Sequence, residues 1–332
     1  MQIYRDLYTA DSAQPTVLTI GNFDGIHRGH QALLAELQRI AATHNALGGM
    51  ITFDPHPLTV LRPQQARLLL TTPAERLHLA AQQGLDLGII QPFTPAFAAQ
   101  EPAEFMAALR ARLNLVTLVA GPDFALGRNR SGNLEILTEL GKRLGYGVHV
   151  IEPIEGHAHP VRSSAIRALL AQGEVGAAAD LLGRPYHATG RVVLGDQRGR
   201  QIGIPTANLH LPADKLWPAD GVYATRTTVH YTLGHPWPAP AVYNSVTNLG
   251  MRPTVGGTEH RFETHLLDFP QAGGSDNLYD HDVTVEFVAR LRGEQRFQGL
   301  DALVAQIHAD IAQARILLPS PQAALQPFFL TD

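Results

Sequence analysis

A change of period partway along the chain constrains its fold more than any other feature. Up to about Arg184, short apolar runs alternate with stretches of helical spacing; after Pro185 the apolar residues alternate singly, and Gly/Pro clusters interrupt them. The first pattern predicts strands at Val17–Ile20, Met50–Phe53, Leu87–Ile90, Leu115–Ala120 and Val148–Ile151. Helices lie between them, such as Gly29 to about Asn45 with Leu33, Leu37 and Ile40 on one stripe. Strands separated by helices pair in parallel, so the first half reads as a doubly wound α/β sheet. Thr72, Pro73 and Glu75 supply the N-cap, first-turn proline and third-position acid of a capping box. The second pattern predicts strands at Arg191–Leu194, Val222–Tyr231, Ala241–Val246, Arg261–Phe269 and Val283–Ala289, hence an antiparallel barrel. A last helix, roughly Leu300–Ala314, carries Leu300, Leu303, Val304, Ile307 and Ile311 at helical spacing, which reads as packing. The joint between the halves falls near Gly183–Tyr186, giving domains 1–184 and 185–332.

At 332 residues the chain has room for two such domains. A formal charge of -4 leaves no basic footprint for a nucleic acid partner. With no cysteine, disulfides, thiolate nucleophiles and cysteine zinc sites are excluded together. No apolar run is long enough to span a bilayer, so the expectation is a cytoplasmic protein acting on small molecules. Lys142 and Lys215 are the only lysines, and neither follows a GxxxxG loop or a V-A-I-K strand, which excludes P-loop and protein-kinase designs. Any phosphate must therefore be met by arginine, histidine, backbone N–H groups or a metal.

The segment Thr16 to Gln31, TVLTIGNFDGIHRGHQ, orders a strand, a glycine turn and a helix start bearing His27 and His30. A helix start presents unpaired N–H groups and the positive end of the dipole, and the two imidazoles share one face. That arrangement suits charge accumulating on an α-phosphate and a departing pyrophosphate. The glycine turn places Gly21, Phe23 and Asp24 at the carboxyl edge of the sheet, where open α/β sheets bind their ligands. Three further segments sit near strand ends or helix starts. His56 lies in FDPHP, where it reads equally as a loop residue; Asp123 lies in GPDF; Ser163, Ser164 and Arg167 open a helix, where serines alone read as N-caps. His157 and His159 read as exposed loop residues rather than a metal pair.

In the second half, Gly190 to Asn208 reads GRVVLGDQRGRQIGIPTAN, with Gly190, Gly195, Gly199 and Gly203 among strand-forming residues. Glycines let backbone approach a ligand closely. Thr206 and Asn208 offer two hard oxygens suited to Mg2+. Glu263 shares a strand face with Arg261 and His265, a pattern that a solvated polar face would also give.

These motifs resemble, over nearly the whole chain, the bifunctional riboflavin kinase/FAD synthetase family. Gly21, Phe23, Asp24, His27, Gly29 and His30 match the GxFDxxHxGH signature of HxGH nucleotidyltransferases. Phe53, Pro55, His56 and Pro57 match an FxPHP loop; Gly121, Asp123 and Phe124 match GxDFxFG, with Leu126 where Phe is usual; Ser163, Ser164 and Arg167 match SSTxIR, with Arg162 replacing its first serine. Gly190 to Asn208 is similar to the riboflavin kinase signature GxVxxGxxxGRxLGxPTAN, Ile202 standing for Leu; Asp280 occupies the usual glycine after Leu278-Tyr279.

The resemblance implies a Rossmann-like α/β domain followed by a Greek-key β-barrel with a C-terminal helix. It also implies riboflavin and ATP giving FMN and ADP, then FMN and ATP giving FAD and pyrophosphate. On its terms His27, His30 and Arg167 stabilise charge, Asp123, His56, Ser163 and Ser164 contact nucleotide, Thr206 and Asn208 hold Mg2+ and ATP, Arg200 and the glycine loop surround phosphates, and Glu263 is the base. Two alternatives stay open on sequence: a kinase whose adenylyl site has weakened, which Arg162 prompts, and an adenylyltransferase with a flavin-binding regulatory barrel. A NAD-type oxidoreductase does not fit, because no GxGxxG follows the first strand.

Overall fold

The computed structural model describes residues 1–151, 161–195, 197–230, 241–254, 257–270 and 278–319, so His157 and His159 lie outside the described residues. The chain divides into two compact units, Met1–Ser163 and Ser164–Asp332.

The first unit is built on strands β1 (Gln2–Tyr4), β2 (Thr16–Ile20), β3 (Leu47–Asp54), β4 (Leu87–Pro92) and β5 (Leu115–Ala120), a two-stranded ribbon of β6 (Ala125–Leu126) and β7 (Gly132–Asn133), and β8 (Gly147–Val150). Helices α1 (Arg28–Thr43), α2 (Pro57–Leu61), α3 (Pro73–Gln82), α4 (Pro95–Ala98), α5 (Pro102–Leu113) and α6 (Leu134–Leu144) connect them. The main sheet runs β1-β4-β3-β2-β5-β8, all parallel. Successive residues of its strands turn to opposite faces, and both faces are covered. Leu18, Ile51 and Leu118 pack with Phe105, Leu109 and Leu137, while Val17, Met50 and Val119 pack with Leu34, Leu37 and Leu77. A strand buried on both sides reads as a continuous apolar run. The strand order reverses between β2 and β5, so a crevice opens at their carboxyl ends. The capping box forms as spelled: Thr72 Oγ1 accepts from Glu75 N–H and the Glu75 carboxylate accepts from Thr72 N–H.

The second unit begins within α7 (Ser163–Gln172), continues through α8 (Val175–Leu182) and then forms a closed antiparallel barrel. Its strands are β9 (Tyr186–Val193), β10 (Ala207–His210), β11 (Gly221–Val229), β12 (Ala241–Thr254), β13 (Gly257–Leu266) and β14 (Asp282–Arg292), with α9 (Arg198–Gln201) between β9 and β10 and α10 (Leu300–Leu317) at the end. The order β10-β13-β12-β11-β14-β9 contains a Greek key, because β14 returns beside β11 after the β11-β12-β13 hairpins. The compact units part ahead of the joint suggested by the change of pattern. α8 packs on β9 and β14, and the end of α7 is tied to the barrel through Arg290 Nη1 to Gln172 O (3.1 Å) and Ala219 N to Leu170 O (2.8 Å).

Inside the barrel the rings of Tyr186, Tyr223 and Phe262 all meet Phe287. Beyond them Thr225, Thr227, Ser245, Thr247 and Thr264 are buried and bond hydroxyl to hydroxyl. Those mutual bonds offset the desolvation of five polar groups. Val222, Ala224 and Val246 instead face outward and pack beneath Ala314 and Leu318 of the α10 region.

Candidate active sites

At the carboxyl end of β2, Phe23 and Ile26 take positive φ angles of 47° and 39°, and the turn delivers His27 as the N-cap of α1. His27 Nδ1 accepts the His30 N–H at 3.3 Å. A backbone N–H can only donate, so the ring's proton sits on Nε2. The two imidazoles stack with centroids 3.7 Å apart and planes 14° from parallel, and Phe23 meets His30 edge-on at 5.1 Å. Gly29 leaves the stack room, since a Cβ there would come within 3.3 Å of the His27 ring. The structure therefore brings His27, His30 and Phe23 together at a helix start, with His27 only 7% exposed.

Asp24 is buried, and its carboxylate accepts from Leu70 N (3.1 Å), Thr71 N (3.0 Å) and Thr71 Oγ1 (3.2 Å). Its carbonyl takes the Ser163 hydroxyl at 2.8 Å. Sequence reasoning missed the partner in this lock. Arg76, 1% exposed, donates from Nη1 to Thr52 Oγ1 (2.6 Å) and from Nη2 to the Thr71 carbonyl (3.2 Å), while Thr52 Oγ1 donates to the Asn22 carbonyl (3.1 Å). A buried guanidinium is tolerated because the Thr52 hydroxyl and the Phe53 and Thr71 carbonyls, on two segments, accept from its terminal nitrogens. No periodicity marks it, since Arg76 sits among apolar neighbours on α3.

Gly21 donates its N–H to Ile51 O at 3.0 Å, at the join of β2 and β3. His56 caps α2, with Nδ1 accepting from Leu58 N–H at 3.1 Å, so Nε2 carries its proton. Asp123 is exposed on the turn after β5, its carbonyl held by Arg130. Leu126, the departure from Phe, still packs against the core of the first unit. Ser163, Ser164 and Arg167 stand in the opening turns of α7, and the preceding Arg162 is exposed.

In the second unit, Asn208 on β10 and Asn248 on β12 are the register partners of Glu263 on β13, one from each side. Directly opposed residues share a sheet face. Phe262 and Thr264 point into the barrel, so these three polar side chains leave it on the outside. There they line a cavity of about 790 Å³ together with Thr206, Gly199, Arg261 and His265. Arg261 Nη1 lies 3.5 Å from Glu263 Oε1. The far wall is α10: Leu300, Leu303, Ile307 and Ile311 all line the cavity, which corrects their reading as packing alone. Arg292 grips Asp310 of that helix through Nε (3.1 and 3.0 Å) and Nη2 (2.8 Å), and Gln306 adds a bond at 2.9 Å. Neither Arg292 nor Asp310 carries a motif that sequence reasoning could use.

The glycine loop folds back over this pocket. A Cβ on Gly195 would overlap the Asn208 amide, and one on Gly199 would overlap the Ile204 carbonyl. Gly203 takes φ +76°, and Gly190 lies so close to β10 that a Cβ would meet the His210 carbonyl at 2.6 Å. Arg200 borders a small recess with Gly195, Thr206 and Tyr279. Asp280 adopts φ 65°, the left-handed backbone that explains a glycine there and that aspartate tolerates. His265 Nδ1 lies 2.7 Å from the Pro205 carbonyl, and burial holds its pKa below the ordinary value against the pull of that bond.

Known proteins match both parts of the chain. Residues 9–165 match the FAD synthetase family and residues 182–318 the riboflavin kinase family. A bifunctional riboflavin kinase/FMN adenylyltransferase of Pseudomonas fluorescens is 36% identical over 96% of this chain and 98% of its own length. The Escherichia coli K12 protein of the same description is 36% identical over 95% and 97%, and that of Bacillus subtilis 32% over 90% and 91%. A solved structure described as a macrolide-efflux protein from Streptococcus pneumoniae superposes with a TM-score of 0.81 at 30% identity, covering 95% of this chain and 98% of that one. Among the described residues here no helix is long and apolar enough to cross a membrane. With two family matches in tandem and relatives aligned end to end, the chain belongs to the bifunctional riboflavin kinase/FMN adenylyltransferase family.

Proposed function

We propose that the family's two reactions divide between the two constellations, residues 1–184 adenylylating FMN and residues 185–332 phosphorylating riboflavin. A cytoplasmic setting goes with this reading, since every substrate is a soluble small molecule. The single observation that supports it most is the row Asn208, Glu263 and Asn248 on one wall of a cavity large enough for a flavin. In the kinase step the Glu263 carboxylate takes the proton of the ribityl hydroxyl, whose oxygen attacks the γ-phosphorus of ATP as the bond to the β-phosphate oxygen breaks, leaving FMN and ADP. Arg261 orients that carboxylate, and Arg200 with the loop bearing Gly190, Gly195, Gly199 and Gly203 surrounds the phosphates.

The described residues include no cluster of three or more His, Asp or Glu that could cage a metal. A hydroxyl and an amide oxygen suit Mg2+ shared with a triphosphate, and the glycine cradle that fixes the Asn208 amide fits that role, so Thr206 and Asn208 would hold it. Bound there, Mg2+ would neutralise charge on the phosphate oxygens.

In the adenylyl step an FMN phosphate oxygen attacks the α-phosphorus of ATP in line and pyrophosphate leaves. The Nε2–H of His27, with His30, Arg167 and the opening turn of α1, stabilises the developing charge. Gly21, Phe23, Asp24, His56, Asp123, Ser163 and Ser164 complete the nucleotide site. Asp24 and Phe23 do so by holding the turn and the His30 ring in place.

Chromatography of the products from riboflavin, ATP and Mg2+ tests this division. His27→Ala should stop the sequence at FMN, its FAD formation falling about 100- to 1000-fold. Glu263→Gln should slow FMN formation about 100- to 10000-fold and still convert supplied FMN to FAD. Near-normal FMN formation by Glu263→Gln would remove Glu263 as the base, and absence of FMN from the unsubstituted protein would leave the barrel a flavin-binding module. Absence of FAD from the unsubstituted protein would mark the adenylyl site as lost.

A further inference from the structure

β10 pairs with β13 at only two positions, Ala207 opposite Thr264 and Asn208 opposite Glu263. One step on, Thr206 would face His265, but the ladder stops there, and Pro205 has no N–H to extend it. The His265 side chain takes over where the backbone ends, with Nδ1 at 2.7 Å from the Pro205 carbonyl. A carbonyl only accepts, so Nδ1 is the donor. His265 and Glu263 leave β13 on the same face, two residues apart, and both line the cavity that Thr206 and Asn208 also line. One side-chain bond thus ties the end of the loop beside Thr206 to the strand that carries the base, while the ladder itself holds Asn208 there.

We propose that His265 is a positioning residue of the kinase site: by holding the Pro205 carbonyl it fixes Thr206, the oxygen ligand that lies beyond the Asn208–Glu263 rung of the ladder. The role rests on the assignment of those three residues above. Loss of the bond leaves the proton acceptor intact and loosens the grip on ATP, so the expected signature is a raised KM for ATP rather than a lowered kcat.

Three variants test it. Asparagine can place a donor where Nδ1 sits, glutamine reaches to where Nε2 sits, and alanine offers none. His265→Ala and His265→Gln should raise the KM for ATP in riboflavin phosphorylation about 3- to 10-fold with kcat changed less than 2-fold, and His265→Asn should stay within about 2-fold of the unsubstituted protein. Hydrogen–deuterium exchange on the protein without ligands should show faster exchange at Ile204–Ala207 in the alanine and glutamine variants only. FAD formation from supplied FMN should be unchanged in all three and reports folding of the remainder. Equal losses in all three variants, a loss confined to kcat, or unchanged exchange would overturn the proposal. Glu263→Gln assayed in parallel separates the two failures: if it phosphorylates riboflavin normally, the site assignment is wrong, whereas a dead Glu263→Gln beside a normal His265→Ala removes only His265.

Discussion

Replacing Asp310 by asparagine should loosen the wall that α10 contributes to the kinase cavity without changing that wall's volume. Asp310 is 3% exposed, and its two oxygens accept three contacts from Arg292 and one from Gln306. The amide keeps one oxygen and turns an NH2 toward donors. Hydrogen bonds to a charged group contribute about 1.5–3 kcal/mol against about 1 for neutral ones, and a severed buried pair costs about 3–5 kcal/mol. Asparagine retains part of the bonding and Arg292 keeps some solvent access, so a loss of about 2–3 kcal/mol is expected for the barrel unit. Both tryptophans of the chain, Trp217 and Trp237, follow Ser163 in sequence, so their emission reports on the second unit alone. At a slope of about 2 kcal/mol per molar urea, the emission midpoint should fall by about 1–1.5 M. The KM for riboflavin should rise while adenylylation of FMN holds. A midpoint shift below about 0.3 M would refute the reasoning, because the ion pair would then contribute no more than an exposed one.

Gly29→Ala should stabilise α1 by up to about 1 kcal/mol, yet slow FAD formation about 10-fold, since the new Cβ at 3.3 Å shifts the His27 ring by a few tenths of an ångström against its stack. A stability gain with unchanged adenylylation would show the stack to be dispensable. Glu286→Gln should stabilise the barrel at pH 7. Burial, opposed by Arg226 and Arg184, raises the Glu286 pKa above 4.5, so the folded state favours the protonated form and loses stability as pH rises through the folded value. The gain in urea midpoint over the unsubstituted protein should shrink as pH falls toward 4.5, and a gain independent of pH would contradict the assigned cause.

Local chemistry made much of this molecule legible before any coordinates. Leu115–Ala120 is a strand over the predicted residues because a run buried on both faces has no other use for six apolar or β-branched side chains. Thr72, Pro73 and Glu75 cap α3 because the groups they satisfy lie within one turn. The glycines at 195 and 199 announced a close approach, and the Asn208 amide and Ile204 carbonyl are what approach. The strand at Ala207–His210 and the short Gln2–Tyr4 were not legible, since four- and three-residue strands exist only through the partners they pair with. Nor could sequence show that the apolar stripe of α10 walls a cavity, that Arg76 bonds to both β3 and the Thr71 carbonyl, or that Asp310 meets Arg292. Sequence by itself supplied the residue types and the turns that present them, whereas tertiary structure alone decided that Asn208, Glu263 and Asn248 stand abreast. Barrel closure sets the register between strands far apart in the chain, and a slip of one residue would turn Glu263 into the interior.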